Sequence, residues 1–240
     1  MTSNDEKAHA AWATPTKKMT VGALAGDAVN LNIEGRALHS PLQGFGQMWQ
    51  RTYRLPLAGS VTPEHVVAEW KAHLPEFMPD DSRFYPTLTG VKPGEAIVIN
   101  ASLPAAPGVA MPVDTGVLVL YSDDTQFTVM TPAGHPESGF NTFSAFEEDG
   151  VTIAQIQSLA RATDPIYEIG FRLMGGAKQQ VRIWRHVLTR LGAHFGVSGE
   201  PSIQSVCVDP GLQWSRAGNV WQNALIRTVL TAPARWFKRS

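Results

Sequence analysis

Apolar and polar residues alternate in short runs through the middle of the chain, and towards its end apolar residues recur every third or fourth position. That change of period predicts strands followed by a helix. Residues 1 to about 40 keep no period, apart from Val29 to Ile33, whose alternation predicts a short strand. Pro41 to Gly46 reads as a loop. Gln47 to Leu57 is the first strand, with Trp49, Thr52 and Tyr53 suited to a pleated surface. Thr62-Pro63 then starts a helix: a hydroxyl cap is followed by a proline that needs no hydrogen-bonded N–H there. Val66, Val67, Trp70 and Leu74 give that helix one apolar face, and Pro75 and Pro79 stop it. Residues 76 to 94 read as irregular. Five strands follow, over Glu95–Leu103, Val113–Tyr121, Thr125–Thr131, Phe140–Glu147 and Val151–Arg161. Loops are predicted at 104–112 and 132–139, with tight turns at Asp123-Asp124 and Asp149-Gly150. Connections this short make antiparallel neighbours.

Asp164-Pro165 repeats the cap-plus-proline start, and the element it opens is the longest in the chain. Ile166, Ile169, Leu173, Ala177, Val181, Trp184, Leu188, Leu191 and Phe195 keep a helical period from Pro165 to Phe195. About thirty residues of helix span roughly 45 Å, enough to cross a domain. The Leu173/Ala177/Trp184/Leu188/Leu191 stripe is expected to pack on the concave face of the sheet. Gly170, Gly175 and Gly176 interrupt this helix, each at a cost of about 1 kcal/mol relative to alanine. They either thin the helix wall beside a ligand and let a portal flex, or they allow close packing or a kink.

Composition narrows the picture. Of 240 residues, 43% are hydrophobic and only 17% charged, which argues for a filled interior and against disorder. The net charge of −1 gives no global field for nucleic acid. Cys207, alone, forms no internal disulfide and excludes a cysteine-rich metal site. Met1 to Ala11 lack the apolar core of a signal peptide, and no apolar run approaches the roughly 20 residues of a membrane span. A cytoplasmic protein is expected, with a peripheral membrane role left open.

The order of elements resembles the START/pollen-allergen-like superfamily, also called helix-grip or SRPBCC, over roughly Gly46 to Gly196. Leu42 to Gln50, the Thr131 to Gly139 loop and the Phe143 to Gly150 hairpin are similar to uncharacterised bacterial members, including a family of unknown function with a Gly-His-Pro-Glu element, here Gly134 to Glu137. The resemblance implies an α+β fold: a curved antiparallel sheet of six or seven strands around a long C-terminal helix, with an apolar cavity between them. It divides the chain into an arm (1–45), the helix-grip domain (46–196) and a tail (197–240). Relatives bind lipids, sterols, polyketides or plant hormones, and some are cyclases; no catalytic motif is shared by all. The residues expected against a ligand are Trp49, Tyr121, Met130, Phe143, Gly170, Leu173, Met174 and Ala177.

Candidate chemistry is sparse. His135 beside Glu137 suits a general base and its partner; the plainer reading is a polar loop whose backbone Pro136 fixes. His186 and His194 lie eight residues apart, about 12 Å along a helix, and cannot share a metal ion. His9, His39, His65 and His73 show no ligand spacing, so neither a metal nor a cofactor is expected. Phosphate-loop, dinucleotide-binding and nucleophile-elbow motifs are absent from the sequence. After Asp209 come five basic residues and no acidic one, so the rest of the chain carries −1 minus +5, or −6. With Trp214, Trp221, Trp236 and Phe237, residues 213–240 suit an anionic membrane surface, a partner protein or a symmetry mate, or they fold back on their own domain. A helix is expected over 216–231, ended by Pro233. Three functions follow: binding of an apolar small molecule or lipid, a cyclase or isomerase in the same cavity, or a scaffold subunit docking through arm and tail. A buried acid or histidine facing the cavity would favour catalysis.

Overall fold

The computed structural model describes residues 18–24, 28–57, 59, 61–106 and 109–236. Strand β1 (Met48–Leu57) leads into helix α1 (Pro63–Ala72), where the Thr62 hydroxyl accepts the His65 N–H at 3.3 Å, as the cap pattern predicts. A short helix α2 (Leu74–Phe77) and strand β2 (Ser82–Pro86) occupy much of the stretch expected to be irregular. Then come β3 (Ala96–Ala106), β4 (Val109–Ser122), β5 (Gln126–Met130), β6 (Glu137–Glu148) and β7 (Val151–Ala162). The predicted 104–112 loop is instead the end of a long hairpin, with Ser102 opposite Pro112 and Pro104 opposite Ala110. The Asp149-Gly150 turn does have both residues at positive φ, 52° and 75°.

Past β7 the expected single helix is two. Helix α3 (Pro165–Leu173) is capped by the Asp164 carboxylate, which accepts the N–H groups of Ile166 and Tyr167. Helix α4 (Gly176–His194) begins after Gly175, whose φ of 85° breaks the right-handed course. The break takes Leu173 off the predicted stripe: it is 80% exposed. Strand β8 (Ser202–Asp209) lies beyond position 196, and α5 (Ala224–Trp236) follows a 3-10 segment over Trp214–Gln222. The tail helix thus starts later than expected, and Pro233 does not end it.

Among the described residues eight strands form one antiparallel sheet in the order β2-β3-β4-β5-β6-β7-β1-β8, two more than sequence pattern placed and one more than the upper expectation of seven. One face grips α4. Trp184, Val187, Leu188 and Leu191 are buried against Tyr53, Leu55 and Leu57 of β1 and Ala154 and Ile156 of β7. Phe127 and Phe143 stack there at 4.6 Å, and Trp70 of α1 meets Phe143 edge-on at 5.3 Å. This is an α+β helix-grip arrangement.

The other face of the sheet is covered from both ends of the chain. Met19 and Ile33 pack on Ala96, Val98 and Leu118. Val29 to Ile33 is irregular rather than a strand, and Asn32 donates its side-chain amide to the carbonyls of Asp114 (2.7 Å) and Ala224 (3.2 Å). From α5, the Thr228 hydroxyl accepts the Asp114 N–H at 3.1 Å, and from the 3-10 segment before it Trp214 meets Phe45 edge-on at 5.2 Å. The described part of the tail is therefore folded onto the body. Met1 to Ala11 and the Phe237–Ser240 end, with Lys238 and Arg239, lie outside the described residues. Among the described residues no helix is long and apolar enough to cross a membrane, and no three potential metal ligands gather.

Candidate functional site

The loop after β5 sets the site. Gly134 has φ 88°, and a Cβ there would lie 1.9 Å from the Gln222 carbonyl oxygen, so only glycine fits. The chain then straightens: Pro136 accepts the Thr163 N–H through its carbonyl at 3.1 Å. In extended backbone, alternate residues share a face. From β6, Glu137, Asn141 and Phe143 accordingly line one hollow between the sheet and α4, and His135 and Pro136 of the preceding bend border it too.

That hollow has a volume of about 130 Å³. Ile97, Ile99, Val117, Val129, Ile183 and Trp184 supply most of its wall, and the polar groups gather towards β6 and α4. Gln180 of α4 bridges two charged groups. Its amide nitrogen donates to Glu137 Oε2, and its amide oxygen accepts from Arg51 Nη1 at 2.8 Å. Burial pushes the Glu137 carboxyl up to about 7, with the Arg51 charge pulling the other way. Burial pushes His135 down to about 4. His135 Nδ1 lies 3.0 Å from both the backbone N–H and the carbonyl oxygen of Glu137, so the main chain of Glu137 holds the ring in place. Both residues are half-buried and border the hollow. Thr115 Oγ1, Asn141 Oδ1 and Trp184 Nε1, on residues of the same wall, are buried with no protein partner. Unpaired buried polar atoms are costly, and a polar ligand group or water would satisfy them.

Two further hollows adjoin it. A vestibule of about 320 Å³ lies among Trp49, Arg51, Glu137, Glu168, Arg172 and Ala177. A groove of about 270 Å³ lies among Met111, Ile166, Ile169, Gly170, Met174 and Leu225. Phe171 of α3 borders all three spaces, and Glu137 borders the inner hollow and the vestibule. A Cβ on Gly176 would meet Phe171 Cδ1 at 2.9 Å, so the glycine makes room for that ring.

The candidate acid-base pair His135 and Glu137 and the expected ligand residue Phe143 all lie on the inner hollow. Trp49 and Ala177 face the vestibule, and Gly170 and Met174 face the groove. Leu173, Tyr121 and Met130 line none of these spaces. Tyr121 donates its hydroxyl proton to Asp123 at the strand end, and Met130 alternates with the inward-facing Phe127 and Val129. Arg51, Gln180, Asn141 and Phe171 were not singled out from sequence. A readable sign existed for two of them: Arg51 shares the apolar period of Trp49 and Tyr53, and Gln180 stands where the helix stripe calls for an apolar residue.

No family model matches the chain, and no curated protein matches it. Among solved structures, protein Ms6760 from Mycobacterium smegmatis is 12% identical with a TM-score of 0.42, over 66% of this chain and 94% of that one. The di-domain ARO/CYC StfQ from the steffimycin biosynthetic pathway is 12% identical with a TM-score of 0.41, over 62% of this chain and 50% of that one. A major latex-like protein from Panax ginseng is 14% identical with a TM-score of 0.40, over 62% of this chain and 99% of that one. Likenesses of this order carry no argument about function. What the site can do rests on its own geometry.

Proposed function

We propose that the chain binds a small, mainly apolar molecule in the hollow between the sheet and α4, with the molecule's polar end at Glu137, Gln180 and Arg51. One observation carries this reading: apolar walls converge on a short string of polar groups within one concave space. Sites for small molecules are built this way, with apolar walls and a few placed polar groups. The size narrows the ligand. About 130 Å³ is close to the roughly 150 Å³ cavity known to take benzene, so the hollow suits one ring or a short chain. A longer lipid would have to extend past Phe171 into the vestibule or the groove. Native mass spectrometry of the purified protein tests the reading. A bound molecule released on denaturation is expected, or uptake of added 3-phenylpropanol. A bare polypeptide mass in both conditions contradicts it.

A second reading has its own support. Glu137 faces the hollow with its carboxyl near neutrality, which suits a general acid acting on a bound molecule, as in a cyclase or isomerase. Incubating the extracted molecule with the parent protein and with Glu137→Gln separates the readings. A change in the molecule that needs Glu137 supports catalysis; an unchanged molecule in both samples supports binding alone.

A further inference from the structure

We infer that the ligand carries a carboxylate, held in the vestibule by the guanidinium of Arg51. This inference rests on the binding reading above and names the ligand's chemical class. The vestibule and the inner hollow share Glu137 and Phe171 as bordering residues, so a molecule whose apolar body fills the hollow has its polar end beside the vestibule. Its walls are uncharged surfaces: Trp49, Ala160, Ala162, Ala177 and Phe171. Five charged side chains line it as well, and the first of them, Arg161, is spoken for by Asp209 at 2.7 Å. Arg172 and Glu168 pair with each other along α3 and cancel. Arg51 is half-buried, lies 5.6 Å from the centre of the Trp49 ring, and donates to the neutral amide of Gln180. No carboxylate among the described residues forms an ion pair with it.

Glu137 is the nearest candidate, but Gln180 stands between the two, accepting from Arg51 and donating to Glu137. Burial also favours the protonated form of Glu137, which limits its repulsion of an incoming anion. A half-buried guanidinium whose planar fork is only partly used is matched by a carboxylate, which can accept two parallel N–H bonds. An alcohol or amide of the same shape would leave that charge uncompensated. The geometry therefore selects among molecules of equal size by their head group.

The test uses the full chain and two probes of matched shape, 3-phenylpropionate and 3-phenylpropanol, measured by isothermal titration calorimetry. The acid is expected to bind about tenfold or more tighter than the alcohol, the range of a charge-assisted hydrogen bond. Arg51→Gln should remove that preference, so that the variant binds the two probes within about threefold of each other. Should Arg51→Gln melt at a much lower temperature, Gln180→Glu serves in its place: a carboxylate supplied beside Arg51 should abolish the preference for the acid. Equal affinity of the parent protein for both probes overturns the head-group inference and leaves the binding reading intact. A preference for the acid that survives both substitutions also overturns it. Binding of neither probe overturns both.

Discussion

The concave face of the sheet has two ends, built from the same three elements with opposite results. At one end β1 supplies Tyr53, Leu55 and Leu57, β7 supplies Ala154 and Ile156, and α4 supplies Val187, Leu188 and Leu191, all buried. At the other end β1 supplies Trp49 and Arg51, β7 supplies Ala160 and Ala162, and the start of α4 supplies Ala177 to the vestibule and Gly176 and Gln180 to the inner hollow. Aromatic and leucine side chains fill the space between sheet and helix. Glycine and alanine in the corresponding places leave it open, and the polar residues then become usable. Interiors are close-packed wherever side-chain volume suffices, so a persistent gap marks a place where small residues face each other.

The largest effect that separates the two ends should come from a buried charge. Leu188→Asp at the filled end should destabilise the protein by about 4 kcal/mol or more, because the carboxylate has no partner there. Ala177→Asp at the open end should cost no more than about 1 kcal/mol, since water reaches the vestibule. Urea unfolding of both variants measures the contrast, and equal losses would erase the distinction between filled and open ends.

The filled end was the more legible in sequence, and the reason is physical. Burial imposes a period on side chains, so Trp184, Leu188 and Leu191, like Tyr53, Leu55 and Leu57, announce their face. The caps at Thr62 and Asp164 and the Asp149-Gly150 turn were readable because local backbone chemistry determines them. Strand β8 was not, because its side chains are mostly exposed and backbone pairing with β1 holds it. The helix break was misjudged because Ile166, Ile169 and Leu173 continue the apolar spacing across it, although on α3 that face is turned outward. The adjacent glycines Gly175 and Gly176 were the better sign. At the site, His135 and Glu137 were visible as a local pair. Arg51, Glu137 and Gln180 join across 129 and 43 residues, and no local pattern records such contacts.

A medium effect should appear in the pH dependence of the open end. Glu137 keeps its proton up to about pH 7 in the folded protein, whereas its unshifted value is 4.5. Its contribution to stability is therefore present at low pH and lost as pH rises through that window. His135 does the reverse: its value falls from 6.5 to about 4, so its contribution is present above pH 6.5 and lost on acidification towards 4. In the parent protein the two slopes oppose each other. Relative to the parent, Glu137→Gln should steepen the rise of stability with pH between about 4 and 6.5, and His135→Gln should steepen the fall between about 4.5 and 7. Denaturant midpoints across that range check the signs; the same slope change in both variants would show that the two groups do not titrate as buried.

The smallest effect concerns the seam between α3 and α4. Gly175→Ala places a Cβ on a residue at φ 85° with open space around it, so backbone strain alone should cost about 1 kcal/mol. Thermal melting measures it, and an unchanged midpoint would mean that the seam relaxes freely.

The measurement closest to the central claim compares the parent protein with a variant whose hollow is filled. Ala101 lines the inner hollow opposite Val113, and Ala101→Phe would occupy it with a ring. At a hundredfold excess over its dissociation constant, 3-phenylpropanol should stabilise the parent by about 2.7 kcal/mol through mass action. The folded Ala101→Phe variant should gain almost nothing. Stabilisation of both proteins to the same extent, or of neither, would contradict the account.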